Sequence, residues 1–236
     1  MSGDYFSWLS HDDKYLPNKI EKQMSFLKKI NRKDVILFSD YAHIDKNGKL
    51  LGDNIVLDES LINSKPLYIV LKGMINGITL LIPKEAFAKC GLFDEKLRCT
   101  QDYDLWWEMI KKYHFIHMKD IMTLTRIHPN QDTNRNPNVI NEGNALWLRM
   151  IKETPKEVKV QYEKDLYSFY YEMAKYLLNV PYDEARNFCI EECKKIDINR
   201  YNKNPLKKKK YSLKKVIIFI KNHGFKALLT RIIKKD

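Results

Sequence analysis

The chain has 236 residues, 44% of them hydrophobic and 12% aromatic, which suffices to bury a core and fits one domain with an appendage. The net charge of +12 is uneven: residues 206–236 carry eleven basic side chains and one acid, while the other 205 residues carry 31 basic and 29 acidic. A nearly neutral body argues against a nucleic-acid-binding domain, which carries its charge on a folded face. Gly and Pro, at 8 each, argue against long disordered linkers.

The elements alternate in chain order. Tyr5 to Leu9 reads as a strand, followed by the acidic turn Ser10-His11-Asp12-Asp13. Leu16-Pro17 opens a helix to about Ile30, with Ile20, Met24 and Leu27 on one face. Val35 to Phe38 is a buried strand, and Asp45-Lys46-Asn47-Gly48 a hairpin turn leading to Leu50-Leu51. A short helix is expected over Leu67 to Lys72. Gly77 to Ile82 reads as a strand ended by Pro83, and Lys84 to Lys89 as a helical turn stopped by Gly91. Gln101 to about Tyr113 has helical core spacing at Leu105, Trp106, Met109 and Ile110. Two strands, Phe115–Met118 and Met122–Ile127, precede helices over roughly 139–153, 156–179 and 182–196.

Four cysteines, Cys90, Cys99, Cys189 and Cys193, fit no zinc pattern, and the last two read as small packed thiols. Met1 to Asp4 is followed by polar and aromatic residues, which predicts no secretory leader and a reducing cytoplasm.

Two acidic clusters carry the chemistry. Asp12 and Asp13 follow a strand, where carboxylates are able to hold a divalent cation. The alternative is a capping turn, since acids favour helix N-termini. Gln101-Asp102-Tyr103-Asp104-Leu105-Trp106 opens a helix; one of its acids suits a general base and the other a cap, with Thr100 as a plausible N-cap residue.

Residues 3–131 resemble the second half of a family-2 glycosyltransferase catalytic domain, the GT-A fold. The matching stretches are Gly3 to Asp13, Leu16 to Gln23, Leu80 to Phe87, Gly91 to Glu95, Gln101 to Trp106, and Arg126-Ile127-His128-Pro129. The resemblance implies an α/β fold with an incomplete Rossmann-like GT-A sheet over 1–138; the residue pattern adds a helical extension over 139–205 and a basic amphipathic tail over 206–236. The resemblance also implies an inverting, metal-dependent transferase that moves a sugar from a nucleotide-diphosphate sugar to a glycan or lipid-linked acceptor. Asp12 then holds Mg²⁺ or Mn²⁺ with Asp13 in support, and His128 matches a position able to reach the metal or diphosphate. A polar turn residue is the equal alternative for His128. Ser10 stands where the family's metal motif has an acid, so it adds no charge but offers a hydroxyl to the donor ribose. Asp102 is the base, Asp104 its capping neighbour, and Gln101 and Trp107 lie on the acceptor side. Trp106 reads as core. The resemblance starts inside the family's fold, without the half that grips the nucleotide base. The expectation is therefore a C-terminal part with weak activity alone. The alternative is a non-catalytic remnant, or an acceptor-binding partner of a separately encoded N-terminal half.

The tail's longest apolar run, Val216 to Ile220, is too short to span a bilayer. Phe225, Leu228, Leu229, Ile232 and Ile233 follow helical spacing among Lys226, Arg231, Lys234 and Lys235. That pattern predicts an interfacial helix on anionic lipid, placing the chain at the cytoplasmic face of the membrane; a helix docked on the body is the alternative.

Overall fold

The computed structural model describes residues 2–52, 54–127 and 136–206. The chain is mixed α/β and divides into two compact units, Met1–Lys96 with Gln101–Ile127, and Leu97–Thr100 with the chain from His128 onward.

The first unit is built on two long strands. β3 (Val35–Ile44) lies parallel to β5 (His114–Arg126), from Val35 opposite His114 to Ile44 opposite Arg126. β2 (Lys14–Tyr15) pairs antiparallel with the end of β5, and β1 (Tyr5–Phe6) pairs antiparallel with β4 (Ile82–Pro83). Leu37 and Leu81 exchange backbone hydrogen bonds of 3.1 and 2.9 Å, which attaches the β1–β4 pair to β3. The continuous apolar run Val35 to Phe38 is buried on both faces, as a parallel strand requires. Val35, Leu37, Leu81 and Leu27 form one core cluster, closed by Tyr5, Met24, Phe26, Ile30, Ile116 and Met118.

Five helices complete this unit: α1 (Lys19–Ile30), α2 (Glu59–Ser64), α3 (Tyr68–Leu71), α4 (Lys84–Cys90) and α5 (Gln101–Ile110). Helix α1 ends at Asn31, whose left-handed backbone (φ 47°) donates its N–H to Leu27 O. Its buried face is Lys19, Gln23 and Leu27, whereas Ile20, expected in the core, is 41% exposed.

The strand expected over Tyr5–Leu9 is two residues long, because the Ser7 hydroxyl donates to Leu80 O at 3.1 Å and the Trp8 carbonyl accepts from the Tyr15 hydroxyl at 2.6 Å. The strand expected over Gly77–Ile82 begins as a 3-10 turn, Gly77–Thr79. Asn76 diverts it: its side chain accepts from Ile78 N at 3.3 Å, its carbonyl accepts from the Thr79 hydroxyl at 2.7 Å, and its amide donates to the Thr125 hydroxyl at 2.7 Å. The two strands expected between 115 and 127 are one, β5, with register irregularities opposite Ser39, Asp40 and Tyr41.

The second unit is helical: α6 (Val139–Glu153), α7 (Lys156–Glu163), α8 (Leu166–Leu177) and α9 (Asp183–Lys203). The single helix expected over 156–179 is two, because Lys164 turns left-handed (φ 71°) and Asp165 caps α8 by accepting from Ser168 N at 2.6 Å. Helix α9 runs past the expected end at 196, with a kink at Asp197 that is itself a cap, accepting from Arg200 N at 2.8 Å. Gly143 lies so close to the Tyr182 ring that a β-carbon there would overlap it. Asn144 beside it accepts from Glu184 N and Ala185 N, which ties α6 to the start of α9. Cys189 and Cys193 are fully buried and free, and burial pushes the Cys193 thiol up to about 12, so both act as packing groups. No helix among the described residues is long and apolar enough to cross a membrane.

Candidate functional site

The acidic turn is suspended between two anchors. On its entry side, Tyr15 donates its hydroxyl to Trp8 O at 2.6 Å and lies 2.8 Å from Ser7 Oγ. Lys19 reinforces this side from below. Its ammonium donates to Ser7 Oγ (2.9 Å), Gln23 Oε1 (3.0 Å) and Leu80 O (3.2 Å), and stands 4.4 Å from the centre of the Tyr15 ring. Gln23 in turn donates to Thr79 O at 3.0 Å. Lys19 is 1% exposed, with only neutral oxygens among these partners, and burial lowers its pKa to about 8.

On its exit side the turn is tied to the end of β5. Asp13 N donates to Ser10 O at 3.2 Å, closing the turn. The Asp13 carboxylate accepts from Arg126 N at 2.8 Å, and Arg126 Nε donates to Asp12 O at 2.8 Å. Burial raises the Asp13 pKa; the Arg126 amide opposes that rise and the neighbouring Asp12 charge adds to it.

The second cluster opens α5. Asp102 is partly buried, accepts from Tyr103 N at 2.8 Å, and is raised by desolvation to about 6. Tyr103 fixes the first turn by donating its hydroxyl to Ile75 O at 2.7 Å. Among the described residues, Gln101 Oε1 is buried without a hydrogen-bond partner, as is Trp106 Nε1. Trp106 is core, as its spacing predicts. Trp107 is 1% exposed, with the Lys111 ammonium 5.0 Å from its ring, and offers no open ring face to an acceptor. The acceptor-floor role expected for Trp107 does not fit this placement. The Thr100 hydroxyl donates to Glu142 at 3.3 Å, and Glu142 also accepts from the backbone N–H groups of Arg98 and Cys99.

Trp8, just before the acidic turn, and Trp106 of α5 both reach Gly77. A β-carbon there would lie 3.2 Å from the Trp106 ring and 4.0 Å from the Trp8 ring. His128 and residues 207–236 lie outside the described residues. Among the described residues, no group of three or more His, Cys, Asp or Glu side chains is arranged to hold a metal ion.

No family model matches the chain. It is similar to two proteins each named an uncharacterized glycosyltransferase, from Rickettsia typhi and Rickettsia prowazekii. Both are 34% identical, over 98% and 99% of this chain and 71% and 72% of the relative. An uncharacterized glycosyltransferase of Rickettsia bellii is 39% identical over 190 residues, 78% of this chain. The chain belongs to this glycosyltransferase family. It spans 27% of the length of the Rickettsia bellii glycosyltransferase. Within this family member, Lys19 and Arg126 are the residues around the acidic turn that spacing alone does not pick out. The signal for Lys19 is a lysine and a glutamine four apart on the same face as Leu27, where a purely apolar stripe would face the core. For Arg126 it is a lone arginine at the end of a long strand.

Proposed function

We propose that the chain takes part in transfer of a sugar from a nucleotide-diphosphate sugar to a glycan or lipid-linked acceptor, with inversion at the anomeric carbon. The observation that carries this reading is Asp102: a carboxyl at a helix start, desolvated enough to titrate at about 6, in a family of glycosyltransferases. A base with that pKa is ionised at neutral pH yet holds a proton more readily than a solvated carboxylate. Asp102 takes the proton from the acceptor hydroxyl as its oxygen attacks the anomeric carbon and the diphosphate leaves. A single displacement of this kind inverts the configuration.

The leaving diphosphate belongs at the acidic turn, in the GT-A manner. Mg²⁺ and Mn²⁺ are bound by one or two carboxylates together with substrate phosphates. Asp12 and Asp13 supply two adjacent carboxylates, so the donor set fits, and His128 is a further ligand. A bound cation supplies neutralisation of the charge that develops on the leaving group. Ser10 offers its hydroxyl to the donor, and Gln101 lies toward the acceptor. The test is transfer of label from a panel of nucleotide sugars, with Mg²⁺ or Mn²⁺, by this chain and by the full-length Rickettsia typhi relative. Transfer that needs the cation and gives an inverted linkage supports the reading. No transfer by either protein overturns it.

We further propose that residues 206–236 hold the chain at the cytoplasmic face of the membrane, beside lipid-linked acceptors. Ten net positive charges in this stretch attract anionic lipid, and its apolar residues add affinity that salt does not screen. Sedimentation should show binding to anionic vesicles that falls, but not to zero, as salt rises. Equal binding to neutral and anionic vesicles, or none to either, overturns this.

A further inference from the structure

Arg126 makes more connections than any function so far requires. Its Nε donates to Asp12 O at 2.8 Å, and its Nη1 donates to Asp45 O at 2.7 Å and Lys46 O at 3.0 Å. Its backbone N–H holds the Asp13 carboxylate. One residue at the end of β5 thus grips the acidic turn 113 and 114 positions upstream and a hairpin 80 and 81 positions upstream.

The hairpin is a rigid anchor. The Asp45 carboxylate accepts from Asn47 N at 2.8 Å and Lys49 N at 2.9 Å, and Asp45 N donates to Lys49 O at 2.8 Å. Gly48, at φ +88°, supplies the left-handed step that closes the turn. Asp45 O is shared between Gly48 N and the arginine. A preformed turn therefore presents two carbonyls to the guanidinium, whose planar fork reaches the Asp12 carbonyl from its other side. Lysine, with one ammonium on a flexible stem, does not bridge both elements with fixed geometry.

We propose that Arg126 is the positioning residue of the acidic turn, setting the direction of the Asp12 carboxylate by clamping its carbonyl to the 45–49 hairpin. This rests on the reading of the turn as the diphosphate site. Arg126 acts through Asp12 and Asp13 and does not touch the diphosphate. The clamp also couples two loops: the hairpin and the acidic turn shift together or not at all.

The test uses the full chain with Mn²⁺ and inorganic pyrophosphate as probe, alongside amide exchange read by mass spectrometry. Arg126→Ala should raise exchange over both 10–15 and 45–49 while leaving α1 unchanged. It should weaken Mn²⁺-dependent pyrophosphate binding by about tenfold or more, the loss expected from freeing a charged donor's bonds. Arg126→Lys should recover only part of that loss, and it serves as the comparison if the alanine variant fails to fold. Unchanged exchange and affinity in both variants, with affinity lost in Asp12→Ala, overturns the role of Arg126 alone. Absence of Mn²⁺-dependent pyrophosphate binding in the unaltered chain overturns the diphosphate site, and the positioning role with it.

Discussion

Asp13 and Asp102 are both pushed above the ordinary carboxylate range, and burial is the largest cause in each case. They differ in what opposes it. Asp13 is held by the backbone of a residue 113 positions away, and the carbonyl beside it is clamped by the same residue. Among the described residues, Asp102 is opposed by backbone groups of its own helix start, and it rises to about 6. Among the described residues, one carboxylate is held by a long-range bond and the other by a bond within its own helix start. Partial desolvation suits a group that exchanges a proton, and firm anchoring suits a group that holds charge in place.

The largest effect that sharpens this contrast is at Asp102. Asp102→Asn should lower turnover by about 10²–10⁴, the range for loss of general-base help. It should also stabilise the fold at pH 7. A folded pKa of about 6 against 3.8 means the folded chain binds more protons than the unfolded chain between those values, so stability falls as pH rises through that window. Above it the full penalty is present, up to about 3 kcal/mol, and the neutral amide removes much of that. Urea unfolding and label transfer measure the two effects. A variant that turns over normally, or one that is clearly less stable, would mean Asp102 is a structural cap. In the unaltered protein, turnover should rise through about pH 6 as the carboxylate ionises.

The same contrast separates what was legible in the sequence from what was not. Local signals were legible: the apolar run at Val35, the core spacing of α5, the stop at Gly91 and the packed thiols of α9. What escaped was anything decided by a distant partner. Ile20 lost its place in the core because Lys19 finds Ser7 and Leu80, 12 and 61 positions away. Gly77–Thr79 left the strand pattern because Asn76 bonds Thr125, 49 positions away. Apolar periodicity records which face is buried, but not when a polar group with a distant partner takes that face. Trp107 shows the complement: its neighbours suggested a site, whereas its burial makes it core.

A smaller effect tests the entry-side anchor. Lys19 is buried among neutral acceptors, with a pKa lowered by desolvation to about 8. Below that value the amine is charged in both folded and unfolded chains, and its burial penalty is fully present. Between about 8 and 10.5 the folded chain gives up the proton while the unfolded chain keeps it. The unfolded state then binds more protons, so stability should rise with pH by up to about 1.4 kcal/mol per unit from this group. Lys19→Met has no such proton, and it leaves Ser7, Gln23 and Leu80 oxygens without their donor. The stability gap between the native chain and Lys19→Met should therefore widen in favour of the native chain from pH 8 to pH 9.5. Taking the difference cancels the tyrosines and cysteines that titrate in both proteins. A gap that stays constant over this range would mean that Lys19 keeps its ordinary pKa, through an anionic partner or access to water. The entry side of the acidic turn would then be held by a charge pair, like many surface lysines, and no longer by a desolvated amine among neutral oxygens.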